Sequence, residues 1–344
     1  MLLLTAVPVF GQDSLAIHVK KKQHAPVTDY ILNLDTLIHL EAGFKKRLTT
    51  YRLFYPNHFK LFLSPNVTNT FTYGGSYRFI DAGGSFSTRL FNGGQNGNRK
   101  GKTTENTFGA GITLKKFYLR GDISSTKGFY LENSADLGVA KPDTPYFLFP
   151  GFTVSQLALQ LRYNSNPRFS LSALKGGTEV QLKSAWSVIP VFHTAVFLFE
   201  DNEDSNLGVE NQSTSSFDLN LIIPVAATWA LSEKVYLTGM AGPSIGVDFF
   251  KSVSYTANRI LEKSEGTSLS TGYVLQGSAG YNGKQFYTGL DIFFRNYGHQ
   301  IDNLDRINKR YFSFNCYIGW RLRAPKWMKK SVDWINKTSP IKFE

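Results

Sequence analysis

Between residues 269 and 322 hydrophobic and polar side chains alternate one by one. Leu269, Tyr273, Leu275, Ala279 and Tyr281 fall on one parity and Ser270, Gln276 and Ser278 on the other. Strand side chains point to opposite faces with period two, so this pattern predicts a strand with one greasy and one polar face. Asn282-Gly283 follows, a dipeptide that favours a two-residue type I′ turn because both central residues need φ > 0. The return strand sets Phe286, Leu290, Ile292 and Phe294 against Gln285, Tyr287, Asp291 and Arg295. The last strand sets Phe312, Phe314, Cys316, Ile318, Trp320 and Leu322 against Tyr311, Ser313, Asn315, Tyr317 and Arg321.

The same period runs back to about residue 68. It predicts strands over 68–77, 79–90, 105–115, 117–131, 149–163, 168–175, 186–199, 217–229, 235–249, 269–281, 285–295 and 311–322. Tight turns are expected at 164–167 and 231–233, and polar loops at 92–101, 132–148, 200–216 and 251–268. A soluble sandwich would bury the greasy faces in its own core, whereas a membrane barrel turns them toward lipid. Aromatics concentrate near the strand ends, as barrel girdles require. The fold class predicted is therefore all-β, an antiparallel transmembrane β-barrel of about twelve strands. One conflict remains inside this reading. If long loops share one side and tight turns the other, the two halves of the chain disagree in parity across residues 167–199.

The flanks break the pattern. Leu2-Leu3-Leu4-Thr5-Ala6-Val7-Pro8-Val9-Phe10 before Gly11-Gln12 reads as a signal peptide over 1–12, although it lacks a basic n-region. No Cys follows it, which argues against a lipoprotein anchor. Residues 13–57 are expected as a periplasmic N-terminal extension. Ile31, Leu34, Leu37, Ile38 and Leu40 stand near helical spacing, so a short helix is predicted over 29–41, with a strand or bridging segment over 47–55. The barrel would occupy 58–322 and a tail 323–344. In that tail Met328, Val332 and Ile335 form a stripe flanked by Trp327 and Trp334, with Lys326, Lys329 and Lys330 beside it. This predicts a basic amphipathic helix that lies at the head groups or packs on the barrel mouth.

Composition narrows the function classes. Mean hydropathy is -0.20, and no run is long enough for a spanning helix. The net charge of +12 is compatible with nucleic acid, anionic head groups or a cation-rich lumen. No basic run is interleaved with aromatics, so nucleic acid is set aside. Cys316 falls on the greasy face as a small hydrophobe.

Several segments together resemble a known family. They are Tyr30-Ile31 with Asp35 and Leu37, then Phe117-Tyr118-Leu119-Arg120-Gly121-Asp122 and Lys127-Gly128-Phe129-Tyr130. Arg168-Phe169-Ser170-Leu171-Ser172-Ala173 leads into Thr178-Glu179-Val180-Gln181-Leu182-Lys183-Ser184-Ala185-Trp186-Ser187. The last block is similar to a pattern Thr-Glu-x-Gln-x-Lys-Ser-Ala-Gly-Ser, with Trp186 in the Gly position. The family is an outer-membrane family of the Bacteroidetes type known only as a domain of unknown function, DUF family 4421. The resemblance implies an outer-membrane β-barrel of a Gram-negative bacterium and no particular activity.

Candidate chemistry sits on the polar face. Arg120, Asp122, Arg162, Asp248, Asp291 and Arg295 are expected in the lumen, either as an ion-pair network that narrows the barrel or as the lining of a polar conduit. Glu179, Gln181, Lys183 and Ser184 form a dense polar cluster near a turn. Trp229, Tyr281, Trp320, Trp327 and Trp334 are expected at the membrane interface. The function expected is a structural barrel, or a narrow or occluded pore for small polar solutes or lipid-like molecules. Two alternatives stay open. Lys183, Ser184 and His193 could serve a barrel-embedded acyl hydrolase or acyltransferase, and the long loops could bind envelope or assembly partners. No catalytic residue is assigned. No cofactor is expected, and no metal, since the acidic run 200–204 lacks the ligand spacing of a calcium loop. The partners expected are the bilayer with its head groups and the barrel-assembly machinery.

Overall fold

The computed structural model describes residues 29–55, 58–66, 69–87, 97–139, 146–175, 177–201, 211–256, 259–301 and 304–339. The signal-peptide stretch, Lys20-Lys21-Lys22 and most of the expected loop tips lie outside these residues.

In chain order the elements are β1 (Ile31–Asn33), β2 (Leu37–Phe54), β3 (Lys60–Pro65), β4 (Asn69–Tyr77), β5 (Ile80–Ser87) and a single turn α1 (Gly97–Lys100). They continue as β6 (Thr104–Leu114), β7 (Phe117–Leu131), β8 (Leu148–Tyr163), a 3₁₀ turn (Ser172–Lys175), β9 (Glu179–Gln181), β10 (Ala185–Val188) and β11 (Val191–Glu200). Then follow β12 (Asn211–Ile222), β13 (Val225–Ala230), β14 (Val235–Thr256), β15 (Arg259–Asn282), β16 (Phe286–Ile301), β17 (Leu304–Arg323) and α2 (Lys326–Thr338). The antiparallel sheet runs from β2 through β4, β5, β6, β7, β8, β11, β12, β14, β15, β16 and β17 and closes on itself where β17 pairs β2. Twelve crossings make the ring.

Two crossings are broken by proline. β10 and β11 form one crossing interrupted at Ile189-Pro190, and β12 and β13 form the next, interrupted at Ile223-Pro224. Proline has no N–H to give the ladder, and here its carbonyls are used instead. Pro190 accepts from Tyr163 N–H (2.9 Å) and Pro224 from Ile189 N–H (2.9 Å).

The parity conflict resolves through two corrections. Residues 168–175 are not a strand. Phe169, Ala173 and Leu174 are buried together, a spacing of one helical turn, and Ser170 Oγ accepts the Ala173 N–H (2.9 Å) as a cap on the 3₁₀ turn. Residues 164–184 therefore form one connection on the turn side, not a tight turn and a strand. Conversely, 29–41 is not a helix. β2 begins at Leu37 and carries the alternation Leu40, Phe44 outward and His39, Arg47 inward. Pairing to β17 and β4 on both sides overrides a local spacing that suited either structure. The barrel thus starts within the stretch 13–57 expected as an extension, and the strand count stays at twelve by exchange.

The turn at Asn282-Gly283 also differs from expectation. Asn282 pairs Tyr287 across a longer connection, and neither residue has positive φ. Two-residue connections occur instead at Arg78-Phe79 and Lys115-Lys116, where Arg78 (φ 53) and Lys115 (φ 52) adopt the left-handed region.

Outside, the greasy faces form a continuous band, with Phe108, Ile123, Leu157, Ile245, Leu275 and Ile292 all about half exposed. At the loop end of this band Phe rings neighbour one another, as Phe44–Phe71, Phe71–Phe86 and Phe217–Phe249 (centroids 6.2, 5.7 and 6.2 Å). Inside, at the turn end, tyrosines lie over directly opposed glycines. These pairs are Tyr236–Gly280, Tyr317–Gly289 and Tyr287–Gly319. A Cβ at Gly319 would meet the Tyr287 ring within 2.1 Å. Gly is required there because the ring needs the space, and the ring in turn covers backbone that glycine leaves bare. Gly319→Val is expected to cost about 1–3 kcal/mol through overpacking, measured as a lower temperature for loss of the heat-modifiable folded band on a gel. An unchanged temperature would refute the Tyr–Gly packing role.

Candidate functional site

The lumen holds the charged residues. Three elements shape it: a stopper at the turn end, an aromatic layer at the loop end, and a polar chamber between.

The stopper is the connection 164–184. Phe169, Leu174 and Ile189 pack with the inward side chains Val191, Ile222, Ala226, Met240 and Val274. The Leu174 carbonyl accepts from Ser278 Oγ of β15 (2.8 Å). The cluster expected near a turn holds this segment together. Gln181 Nε2 donates to the carbonyls of Arg168 (2.7 Å), Lys183 (2.9 Å) and Tyr30 (3.2 Å), and its Oε1 accepts the Ser170 N–H (2.9 Å). Glu179 Oε2 accepts from Ser170 Oγ (2.5 Å), and burial pushes its carboxyl above the ordinary range against the pull of that hydroxyl. β9 pairs β1. Lys183 Nζ faces Asp29 (3.5 Å), while Ser184 Oγ accepts the Ala230 N–H (3.1 Å). His193 Nε2 faces Arg295 Nη1 (3.0 Å), so Lys183, Ser184 and His193 turn to three separate partners and make no base–nucleophile pair.

At the loop end Tyr51, Phe129, Val154 and Phe197 are buried together, with Phe149, Phe152 and Phe199 against them. Beside this layer stands a charge cluster that spans the barrel. Asp218 of β12 and Asp248 of β14 are direct cross-strand neighbours. Lys309 of β17 reaches both, at 3.0 and 3.3 Å, and also Ser216 Oγ at 2.9 Å. His299 Nε2 meets Asp248 at 2.9 Å. Two buried carboxylates side by side require such a cation. Lys309 and His299 escaped the sequence reading, which ended the polar faces of their strands too early. The Arg306–Arg310 run looks like loop until β2 is known to pair it.

A cavity of about 430 Å3 runs from the middle of the lumen past Leu171 and Leu174 to the Arg78-Phe79 turn, and its lining includes Arg120, Asp122, Arg162, Asp291 and Arg295. Asp248 belongs to the loop-end cluster instead. Arg120 is paired on two sides: its Nη1 meets Asp81 at 2.7 Å and its Nε meets Asp122 at 2.9 Å. Arg47 of β2 meets Glu105 of β6 at 3.0 Å, both buried. At the turn end Arg321 donates to the Gly283 carbonyl and to Asn282 Oδ1 (2.8 Å) and lies over the Tyr287 ring. Among the described residues no three His, Cys, Asp or Glu side chains converge as a metal site would require.

The exterior is asymmetric. All five tryptophans of the chain lie at the turn end and are exposed: Trp186 62%, Trp229 48%, Trp320 45%, Trp327 65% and Trp334 65%. Tyr281 stands beside them at the end of β15. Helix α2 packs on the outer wall. Its Val332, with Met328 and Ile335, meets Ile38, Tyr77, Phe79, Ile80 and Ile112 at the ends of β2, β4, β5 and β6. Asp333 anchors it to Arg78 (2.6 Å).

A closed ring with a lipid-facing apolar band and a polar interior is an outer-membrane β-barrel, and the sequence agrees: residues 28–322 match the family described as Domain of unknown function (DUF4421). The chain belongs to this family. No curated protein matches it in sequence. Among solved structures it is similar to the outer membrane protease OmpT from Escherichia coli, at 9% identity and TM-score 0.42, over 85% of this chain and 98% of that one. It is similar also to the beta domain of the Bordetella autotransporter BrkA (12% identity, TM-score 0.31, 81% and 98%). A third is the Ralstonia pickettii toluene transporter TbuX (10% identity, TM-score 0.31, 85% and 92%). These are likenesses of barrel architecture at low identity. The DUF4421 chain's role has to be read from its own lumen.

Lys309→Met is expected to destabilise the barrel by about 3–5 kcal/mol, since it leaves two opposed carboxylates buried without their cation. Adding Asp218→Asn should recover part of the loss, and urea unfolding in lipid vesicles measures both. Equal stability of Lys309→Met and wild type would show that the cluster is not structural.

Proposed function

We propose that this protein is a stoppered outer-membrane barrel, a gated passage for small polar solutes whose turn-side mouth is narrowed by residues 164–184. The observation that carries this reading is the seating of Leu174 and Phe169 among inward side chains of β11–β15, below a chamber lined by charge. A barrel that served only as scaffold could be filled by its own strand side chains, as small barrels are. Here a separate connection supplies the filling, and one hydrogen bond to Ser278 with an apolar contact holds it to the far wall. The separated Lys183, Ser184 and His193 give a hydrolase reading no support.

In planar bilayers the wild-type barrel is expected to be silent or to open briefly. Replacing residues 166–183 by a short Gly/Ser linker should produce steady steps. A steady conductance in wild type equal to that of the replaced form would overturn the stopper reading, as would silence from a replaced form that still shows the heat-dependent gel shift.

The same reading seats the protein by its tryptophans and helix α2. With the stripe Met328, Val332 and Ile335 against the wall, Trp327 and Trp334 stay outside with Lys330 on their side of the helix. Such a Trp/Lys face suits head groups. At 13 residues α2 is about 20 Å long, comparable to the four strand ends it underlies at roughly 4.8 Å each. In a variant with Trp186, Trp229 and Trp320 changed to Phe, lipids brominated near the carbonyl region should quench the two remaining tryptophans. Quenching by aqueous acrylamide with none from the brominated lipids would place α2 in water.

A further inference from the structure

We propose that the chamber contains a binding site for one small anion, of the carboxylate or phosphate class, formed by Arg162, Arg295, His193 and Gln276. The site rests on the stoppered-chamber reading for its access only.

These four residues come from separate walls. His193 of β11 stands opposite Gln160 of β8, and Arg162 is its diagonal neighbour, since Arg162 pairs Val191. Arg295 of β16 pairs Val274, and Gln276 of β15 is its diagonal neighbour. Diagonal cross-strand neighbours lie roughly 7–8 Å apart, within reach of long side chains. The two pairs meet across the lumen, where Arg295 Nη1 lies 3.0 Å from His193 Nε2. All four line the same chamber. Its volume of about 430 Å3 is in the range of small-molecule sites.

Among the described residues neither Arg162 nor Arg295 has a carboxylate partner. Arg162 is oriented by the Gln160 amide oxygen, which accepts from Nε and Nη2 (2.5 and 2.8 Å) once that amide is turned to face it. Arg295 lies over the Tyr297 ring (4.8 Å) and gives Nη1 to a histidine, a weak exchange for a carboxylate. The acids of the chamber are engaged elsewhere or stand away. Asp81 and Asp122 hold Arg120. Asp291 is four positions nearer the turn end than Arg295 on the same face, about 13 Å along the strand. Glu41 is nearer still to that end, opposite Gly319.

The site also has donors to spare. Gln276 is 6% exposed, and neither of its amide atoms has a partner. His193 is 4% exposed; its Nε2 faces Arg295, and its Nδ1 has no partner beyond its own backbone carbonyl. With Nε2 accepting from the guanidinium, Nδ1 carries the proton and is a donor. Buried polar groups are costly when unpaired. Two guanidinium forks, an imidazole N–H and an amide are what a small oxyanion would satisfy together, and the forks match its geometry bidentately.

The test uses the full chain folded in detergent micelles, with the heat-dependent gel shift as the check on folding. Inorganic phosphate and succinate are titrated calorimetrically at low ionic strength. Saturable binding of one anion per barrel is expected. Arg162→Gln and Arg295→Gln should each weaken it at least tenfold. Lys263→Gln, at an exposed lysine on the extended end of β15, should change it less than twofold. A second measurement needs no variant: bound anion should slow phenylglyoxal modification of Arg162 and Arg295 but not of Arg168 outside the chamber. Binding of phosphate alone or of succinate alone would assign the class, and either supports the site. Absence of saturable binding, an equal loss in Lys263→Gln, or equal protection of Arg168 would overturn it. The two readings fail separately. Anion binding by wild type together with silence from the folded form lacking residues 166–183 keeps the site and removes the passage, whereas steady conductance of that form without anion binding by wild type keeps the passage and removes the site.

Discussion

Everything in this molecule depends on the ladder between β2 and β17, which joins the first crossing to the last along Leu37–Phe54. A backbone N–H or C=O left open in hydrocarbon costs several kcal/mol, so a sheet in a membrane has to close. Closure fixes the inside as inside. Once β17 meets β2, Lys309 faces Asp218 across the lumen, and Arg47 faces Glu105. Charges that would be scattered along a flat sheet become short-range partners. The same closure leaves the outward Phe and Trp side chains, such as Phe108 and Trp229, with no core of their own to enter, so lipid is their apolar surroundings.

The period-two signal made most strands legible, because alternation is a local property and a barrel imposes it on every crossing. The inward or outward parity of Tyr273, Leu275, Ile292 and Trp320 could be read directly from sequence. What failed was the arbitration of short segments. In 37–41 the leucines and isoleucine satisfied a helical spacing as well as a strand, and only the pairing to β17 decides. In 168–175 Phe169, Leu171 and Ala173 alternate, yet Ser170 caps a 3₁₀ turn and Pro167 precedes it. The chain count of twelve survived because one error offset the other.

The candidate site was legible as a list and not as an arrangement. Arg162 and Arg295 are recognisable as lumen residues from parity alone. That they converge on His193 depends on ring closure and on strand tilt, which have no local signature. Gln276 was placed on the polar face by parity and by nothing more: an inward glutamine becomes notable only when the wall opposite offers it no partner. The stopper was announced by its density of Glu, Gln, Lys and Ser, which reads as a hydrogen-bond cluster without saying what the cluster holds.

One feature of the stopper reaches beyond the barrel. β9 lies within it, and its ladder partner is β1, which precedes the first crossing. Tyr30 adds its carbonyl to Leu182 N–H and Gln181 Nε2, and its ring to Lys183 and Arg168. Tension applied to the chain ahead of Tyr30 is therefore borne by these contacts before any barrel strand feels it. β1, three residues long, is thus the link that ties the stopper to the chain entering β2.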